Sequence, residues 1–178
     1  TAEFIRNTGA EPGDIARWQN DADALVRETH EIDVAALGPQ VAAPHSPVNS
    51  GPVADTAGTR IDQAYIGACT GAKLVDLQMA AEVLRERRVA PGVRLLVAPA
   101  SQKDMTAAAA DGTLAILTQA GAILMPSGCG ACAGYGAGVL AEGEVCIAST
   151  ARNFKGRMGA TTSEVYLGNP YTVAAAAV

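Results

Sequence analysis

The sequence predicts an α/β domain built in three layers, α/β/α, around a mostly parallel sheet. Two observations lead there. From residue 61 onward, short apolar runs of strand length alternate with longer stretches of helical periodicity. Such alternation sets parallel strands side by side with helices as the crossovers. The apolar runs are also near-continuous rather than alternating, as suits strands covered on both faces.

In chain order, Ile61–Ala68 (IDQAYIGA) reads as a buried strand. Lys73–Arg88 reads as an amphipathic helix with Leu74, Leu77, Ala81 and Leu84 on one face, broken by Pro91-Gly92. Lys73 and Asp76 open it, where an acidic side chain favours the helix dipole. Val93–Ala98 (VRLLVA) is the next strand. Ser101 is placed to cap a helix over Gln102–Ala110, which Gly112 ends. Leu114–Ala120 follows as a short helix, then Ala122–Met125 and Val145–Ser149 as strands. Pro170 opens an alanine-rich terminal helix.

The first sixty residues differ in character. A short helix is expected over Asp14–Arg27, with Trp18 packing inside this first segment. Residues 31–60 hold Pro39, Pro44, Pro47 and Pro52 without helical periodicity, and prolines at that density favour extended surface chain. The expected organisation is an irregular Pro-rich segment over 1–60, a linker or a strap at the end of a preceding lobe, and an α/β domain over 61–178. The start, TAEFIRNTGA, has neither an initiator Met nor a signal-peptide pattern. The gene product is therefore expected to begin earlier.

Composition excludes some functions. The formal net charge is -5, which argues against nucleic acid or an anionic membrane as main partner. No run of eighteen apolar residues is present to span a bilayer. Four cysteines in a chain of this length do not make a secreted disulfide framework. Reduced thiols in a cytoplasmic protein are the expectation.

The candidate chemistry gathers at the ends of the predicted strands, where open α/β sheets bind ligands. Cys69 follows the first strand, and Ser127-Gly128-Cys129-Gly130-Ala131-Cys132 follows the strand over 122–125. A lone C-x-x-C serves equally as a redox pair, half a zinc site or part of an iron–sulfur site. Cys69 supplies a third thiol, and neither His30 nor His45, far off in the irregular segment, is an obvious fourth ligand. Three thiolates suit an iron–sulfur cluster with one iron left open as a Lewis acid. The plain alternative is small residues in tight turns. Cys146, inside the apolar run VCIAS, reads as a buried small hydrophobe. Arg152, Lys155 and Arg157 place three positive charges in six residues. Arginine forks bind carboxylates in pairs of hydrogen bonds, so this loop suits a di- or tricarboxylate as well as it suits a solvated basic turn.

Three segments together carry a resemblance: Gly67–Gly71 (GACTG), Gly128–Cys132 (GCGAC) and Ser149–Gly159 (STARNFKGRMG). Their order and the sixty-residue spacing of Cys69 and Cys129 resemble the aconitase superfamily, and within it the large subunit of 3-isopropylmalate dehydratase. The likeness covers about residues 30–178. It implies the fold of the third domain of aconitase and a [4Fe–4S] cluster on Cys69, Cys129 and Cys132. It also implies substrate carboxylates on Arg152 and Arg157, and a hydro-lyase reaction on a hydroxy acid such as 3-isopropylmalate. The family's other catalytic groups lie in further lobes and in a swivel domain or small subunit, so this chain alone is expected not to turn over. Three positions depart from the family pattern: Ala68 for serine, Gly71 for asparagine and Ala151 for asparagine. They put the tuning of the cluster and the identity of the substrate in question. The competing readings are a non-catalytic iron–sulfur or zinc binding module of the same descent and, further off, a thiol redox protein.

Overall fold

The computed structural model describes residues 1–178, without the side chain of Ala16. The chain divides into two compact units, Thr1–Ala36 and Leu37–Val178.

The first unit contains helix α1 (Ala2–Asn7) and two single-turn 3-10 segments, Ile15–Trp18 and Val34–Ala36. Neither α1 nor the Val34–Ala36 turn buries a residue. The helix expected over Asp14–Arg27 is reduced to that first 3-10 turn. Trp18, expected to pack, is 89% exposed. A segment this short cannot enclose an aromatic side chain on its own.

The second unit is built on a seven-stranded sheet: β1 (Gln40–Ala42), β2 (Ser50–Pro52), β3 (Gln63–Gly67), β4 (Arg94–Ala98), β5 (Ile123–Leu124), β6 (Val145–Ala148) and β7 (Glu164–Gly168). Their spatial order is β2-β1-β7-β6-β3-β4-β5. Strands β3 to β7 pair in parallel, while β1 runs antiparallel to both β2 and β7. Part of the Pro-rich stretch thus closes one edge of the sheet. Pro52 ends the outermost strand there, a position where its missing N–H breaks no ladder.

Helices α2 (Leu74–Leu84), α3 (Gln102–Ala110), α4 (Thr113–Ala120) and α5 (Pro170–Ala176) make up the rest. Helix α2 buries Leu77, Ala80, Ala81 and Leu84, the spacing of one helical stripe. Burying Leu77 alone contributes about 1.5–3 kcal/mol relative to exposure. The Ser101 hydroxyl accepts the Asp104 N–H at 3.1 Å, and Asp76 accepts the Lys73 N–H at 3.0 Å, so both expected helix starts are capped. Asn169 caps α5 in the same way, accepting the Thr172 N–H at 2.9 Å, ahead of Pro170.

The expected α/β class and mostly parallel sheet are present, and the third layer has an unexpected composition. Alternate residues of the central strands enter two separate cores. Ala64, Ile66, Leu95, Val97 and Ile147 meet the stripes of α2, α3, α4 and α5. Tyr65, Leu96, Ala98, Cys146, Ala148 and Val165 face the other way, onto Ala131, Leu140 and Met158. Those three come from loops, so the far face is covered by irregular chain and one 3-10 turn instead of helices. No helix among the described residues is long and apolar enough to cross a membrane.

At the amino ends of the strands a polar network ties β3, β4 and β6 together. Arg94 donates to both carboxylate oxygens of Glu144, at 2.8 and 2.9 Å, and to Oε1 of the fully buried Gln63. Asp62 accepts the Val145 N–H at 2.8 Å. The hydrogen bond from Arg94 holds the Glu144 carboxyl below its ordinary pKa. A carboxylate depressed in this way adds stability that is full above the unfolded value, about 4.3, and is lost as pH falls through the lower folded value. Glu144→Gln is therefore expected to lower stability at pH 7 by about 1 kcal/mol, the small figure reflecting a partly exposed pair. It should also flatten the decline in acid, as read by urea unfolding at pH 7 and pH 3. An unchanged acid slope would remove Glu144 from the account of acid sensitivity.

Candidate active-site rim

The strand order reverses at β3, with β4 and β5 on one side and β6 and β7 on the other. That reversal opens a crevice beyond the carboxyl ends of adjacent strands. Strand β3 runs into Cys69, β5 into Ser127–Cys132, and β6 into Ser149 and the Arg152–Arg157 loop. All three strands are parallel, so the loops leave from one rim.

The Cys69 loop is held from β6. The Gly67 N–H donates to Ser149 Oγ at 3.1 Å, and that hydroxyl donates to the Gly71 carbonyl at 2.7 Å. The Ser149 N–H donates to the Tyr65 carbonyl at 3.0 Å. Gly71 is pressed so close that a Cβ there would lie 1.9 Å from the Ser149 carbonyl oxygen. With the backbones this close, no side chain larger than glycine's hydrogen fits at position 71 in this conformation. Past the loop, the Ala100 N–H donates to the Ala72 carbonyl at 2.8 Å, and Asp104 accepts the Leu74 N–H at 3.0 Å.

Cys129 caps and Cys132 lies within a 3-10 turn, Gly130–Ala133, closed by the Cys132 N–H on the Cys129 carbonyl at 3.0 Å. Ala131 is buried in the far-face core beneath it. The buried Tyr65 ring crosses Gly67, where a Cβ would come within 2.3 Å of it, and its hydroxyl reaches toward the Cys129 carbonyl at 3.5 Å. Burial, then the neighbouring Cys132 and Cys129, push the Tyr65 hydroxyl up to about 12. Cys69 and Cys129 are exposed, Cys132 is half-buried and all are free thiols. Cys146 is fully buried on β6, and desolvation pushes its thiol up to about 12. It stays a thiol at neutral pH, and its place is that of a small hydrophobe.

The loop after β6 is shaped by burial, not solvated along its length. Asn153 is fully buried and donates from Nδ2 to the Ala43 and Val165 carbonyls, at 2.8 and 2.9 Å. Met158 fills the far-face core. Arg152 and Lys155 remain exposed. Arg157 is half-buried and donates from Nε to the Cys132 carbonyl at 2.8 Å, which joins the arginine loop to the cysteine turn. Among the described residues, its Nη groups have no hydrogen-bond partner. Sequence reasoning placed both histidines away from this region. His30 pairs with Glu28 in the first unit, whereas the His45 backbone bridges to Phe154 of the arginine loop.

The donor set fits an iron–sulfur cluster. Three accessible thiols leave one rim, with no acidic side chain of these loops between them. Gly128, beside Cys129, opens on free space, since a Cβ there would meet no atom within 4 Å. In the same turn Ser127 Oγ is buried without a hydrogen-bond partner, an orphan donor of the kind that a sulfur acceptor satisfies. Among the described residues no three His, Cys, Asp or Glu side chains converge as a single metal ion requires, whereas cluster cysteines each bind a different iron. A cavity of about 610 Å³ lies elsewhere, lined by Val41, Val53, Ile61, Tyr166 and Ala175 on the helix side. It holds no cysteine and no arginine.

The model of the aconitase family (aconitate hydratase) matches residues 49–178. A homoaconitase large subunit from Thermus thermophilus is 51% identical over 158 residues, 89% of this chain and 38% of its own length. A 3-isopropylmalate dehydratase large subunit from Mycolicibacterium smegmatis is 51% identical over 159 residues, again 89% and 38%. A 3-isopropylmalate dehydratase large subunit 2 from Archaeoglobus fulgidus is 42% identical over all of this chain and 42% of its own. The chain spans about two fifths of the length of these relatives, and it belongs to the aconitase family.

Proposed function

We propose that this chain is the cluster-bearing part of a [4Fe–4S] hydro-lyase that acts on a hydroxy di- or tricarboxylic acid such as 3-isopropylmalate. The observation that carries the reading is the common rim, where three free thiols and the Arg157 fork are tied together through backbone. Cys69, Cys129 and Cys132 would hold the cluster, and Cys146 would not. When bound, such a cluster supplies a Lewis acid at the iron that lacks a protein thiolate. The names of the relatives, homoaconitase and 3-isopropylmalate dehydratase, support a hydroxy-acid substrate.

The chain's own residues would bind and orient. Arg157, anchored through Nε, presents two terminal nitrogens in a fixed plane, the geometry that takes a carboxylate in two hydrogen bonds. Arg152, exposed at the start of the same loop, would take a second carboxylate. None of the rim side chains is a ready general base. Asp76 and Asp104 are committed to backbone N–H groups, and Tyr65 is buried and holds its proton at neutral pH. A missing base costs about 10²–10⁴-fold in rate. The proton-transfer group would then come from the further chain that the length of the relatives leaves room for, or from a swivel domain or small subunit.

Anaerobic reconstitution with iron and sulfide is expected to load about four irons per chain, with Cys129→Ser losing them and Cys146→Ser retaining them. Loss in Cys146→Ser would overturn the ligand assignment. Stoichiometric zinc in place of iron would favour a binding module of the same descent. In the loaded chain, Arg157→Lys should keep the iron and weaken a citrate-like ligand about tenfold or more, since lysine cannot fork. Unchanged affinity by calorimetry would remove Arg157 from carboxylate binding.

A further inference from the structure

Cys69 sits in a turn rather than in regular secondary structure. It lies between the end of β3 and the start of α2, on chain that is neither strand nor helix. Its loop is nonetheless fastened at two points, Gly67 two residues before and Gly71 two residues after. Both fastenings are made by one side chain, Ser149, which accepts the Gly67 N–H at 3.1 Å and donates to the Gly71 carbonyl at 2.7 Å. Ser149 is half-buried, and its own N–H is fixed to the Tyr65 carbonyl at 3.0 Å. The bracket is therefore anchored to the sheet, not to another loop. It also begins the segment that carries Arg152 and Arg157.

We infer that Ser149 is a positioning residue: its hydroxyl sets the Cys69 loop and locks it to the arginine loop. The role rests on the cluster reading above. A hydroxyl that both accepts and donates cannot be replaced by a backbone group at the same point, so its removal frees two backbone groups at once. The close approach of Gly71 to the Ser149 carbonyl is the second half of the device. In this chain the backbone at Gly71 lies directly against Ser149, with no room for a Cβ between them. A larger residue at 71 would push the loop off β6 while leaving the hydroxyl in place, so the two changes attack one contact by different routes.

The test compares wild type, Ser149→Ala, Ser149→Thr and Gly71→Ala, each first shown to be folded by circular dichroism and a cooperative melt. Two quantities are read. In the chain without iron, hydrogen exchange of the amides from Ala68 to Ala72 reports the loop alone. After anaerobic reconstitution and desalting, iron per chain reports the thiol's placement. Ser149→Ala and Gly71→Ala are expected to speed exchange in this loop about tenfold and to weaken iron retention about 10- to 100-fold, as loss of a supporting hydrogen bond around a metal ligand does. Ser149→Thr, which keeps the hydroxyl, is expected to retain iron. Equal exchange and equal iron in wild type and Ser149→Ala would overturn the role of Ser149 while leaving the cluster reading intact. A threonine variant as impaired as alanine would place the effect in packing and overturn the role of the hydroxyl. A wild type that takes up no iron would overturn the cluster reading and, with it, the positioning of a ligand.

Discussion

Everything on the rim depends on the adjacency of β3 and β6 at the point where the strand order reverses. Chain segments from opposite halves of the domain come side by side there, with their carboxyl ends two residues apart in register. The pairing runs from Gln63 with Cys146 to Tyr65 with Ala148 and continues past the strands as the Ser149 N–H on the Tyr65 carbonyl. The cysteine at 69 and the arginines at 152 and 157 would otherwise be unrelated. Parallel pairing also means that the backbone groups just beyond the last ladder bond lack partners. The Ser149 hydroxyl takes up two of them, and this is why the first cysteine loop is ordered without being helix or strand.

The two faces of the sheet are built differently, and the difference bears on function. The helix face is an ordinary apolar core in which alanines and leucines of α2, α4 and α5 meet Ala64, Ile66 and Ile147. The far face is roofed by the loops that carry the candidate chemistry. Ala131, between Cys129 and Cys132, and Met158, next to Arg157, are fully buried members of that roof. Loop conformation and core burial are therefore coupled. Displacing the cysteine turn would expose Tyr65 and Leu96, and the apolar area beneath the turn helps to hold it in place.

Much of this was legible in the sequence because its signals are local. Gln102–Ala110 falls where Ser101 and Gly112 placed it, and the central strands match their apolar runs to within one or two residues. Cys146 is buried as its apolar neighbours implied. The features that escaped depend on partners distant in the chain. Strand β7 (Glu164–Gly168), with one polar end and a half-buried face, has the pattern EVYLG that periodicity alone passes over. Strands β1 and β2 are three residues each, lie among prolines, and exist only because β7 offers an edge. Ser149 reads as the last residue of a strand, and Tyr65 only as one position of the buried run Ile61–Ala68. Their contacts with Gly71 and Cys129 span 78 and 64 residues. The 1.9 Å approach that a Cβ at Gly71 would make to Ser149 is likewise a long-range contact that the sequence does not show.

The most direct test of the central claim, that one rim presents three thiols to one cluster, is cysteine alkylation mapped by mass spectrometry, with and without anaerobically added iron and sulfide. Cys69, Cys129 and Cys132 are predicted to react freely without iron and to become protected together as it is added, with one common dependence on iron. Cys146, buried and protonated, should stay unreactive throughout. Protection of Cys129 and Cys132 alone, with Cys69 still reactive, would contradict the account and leave a two-thiol site in its place.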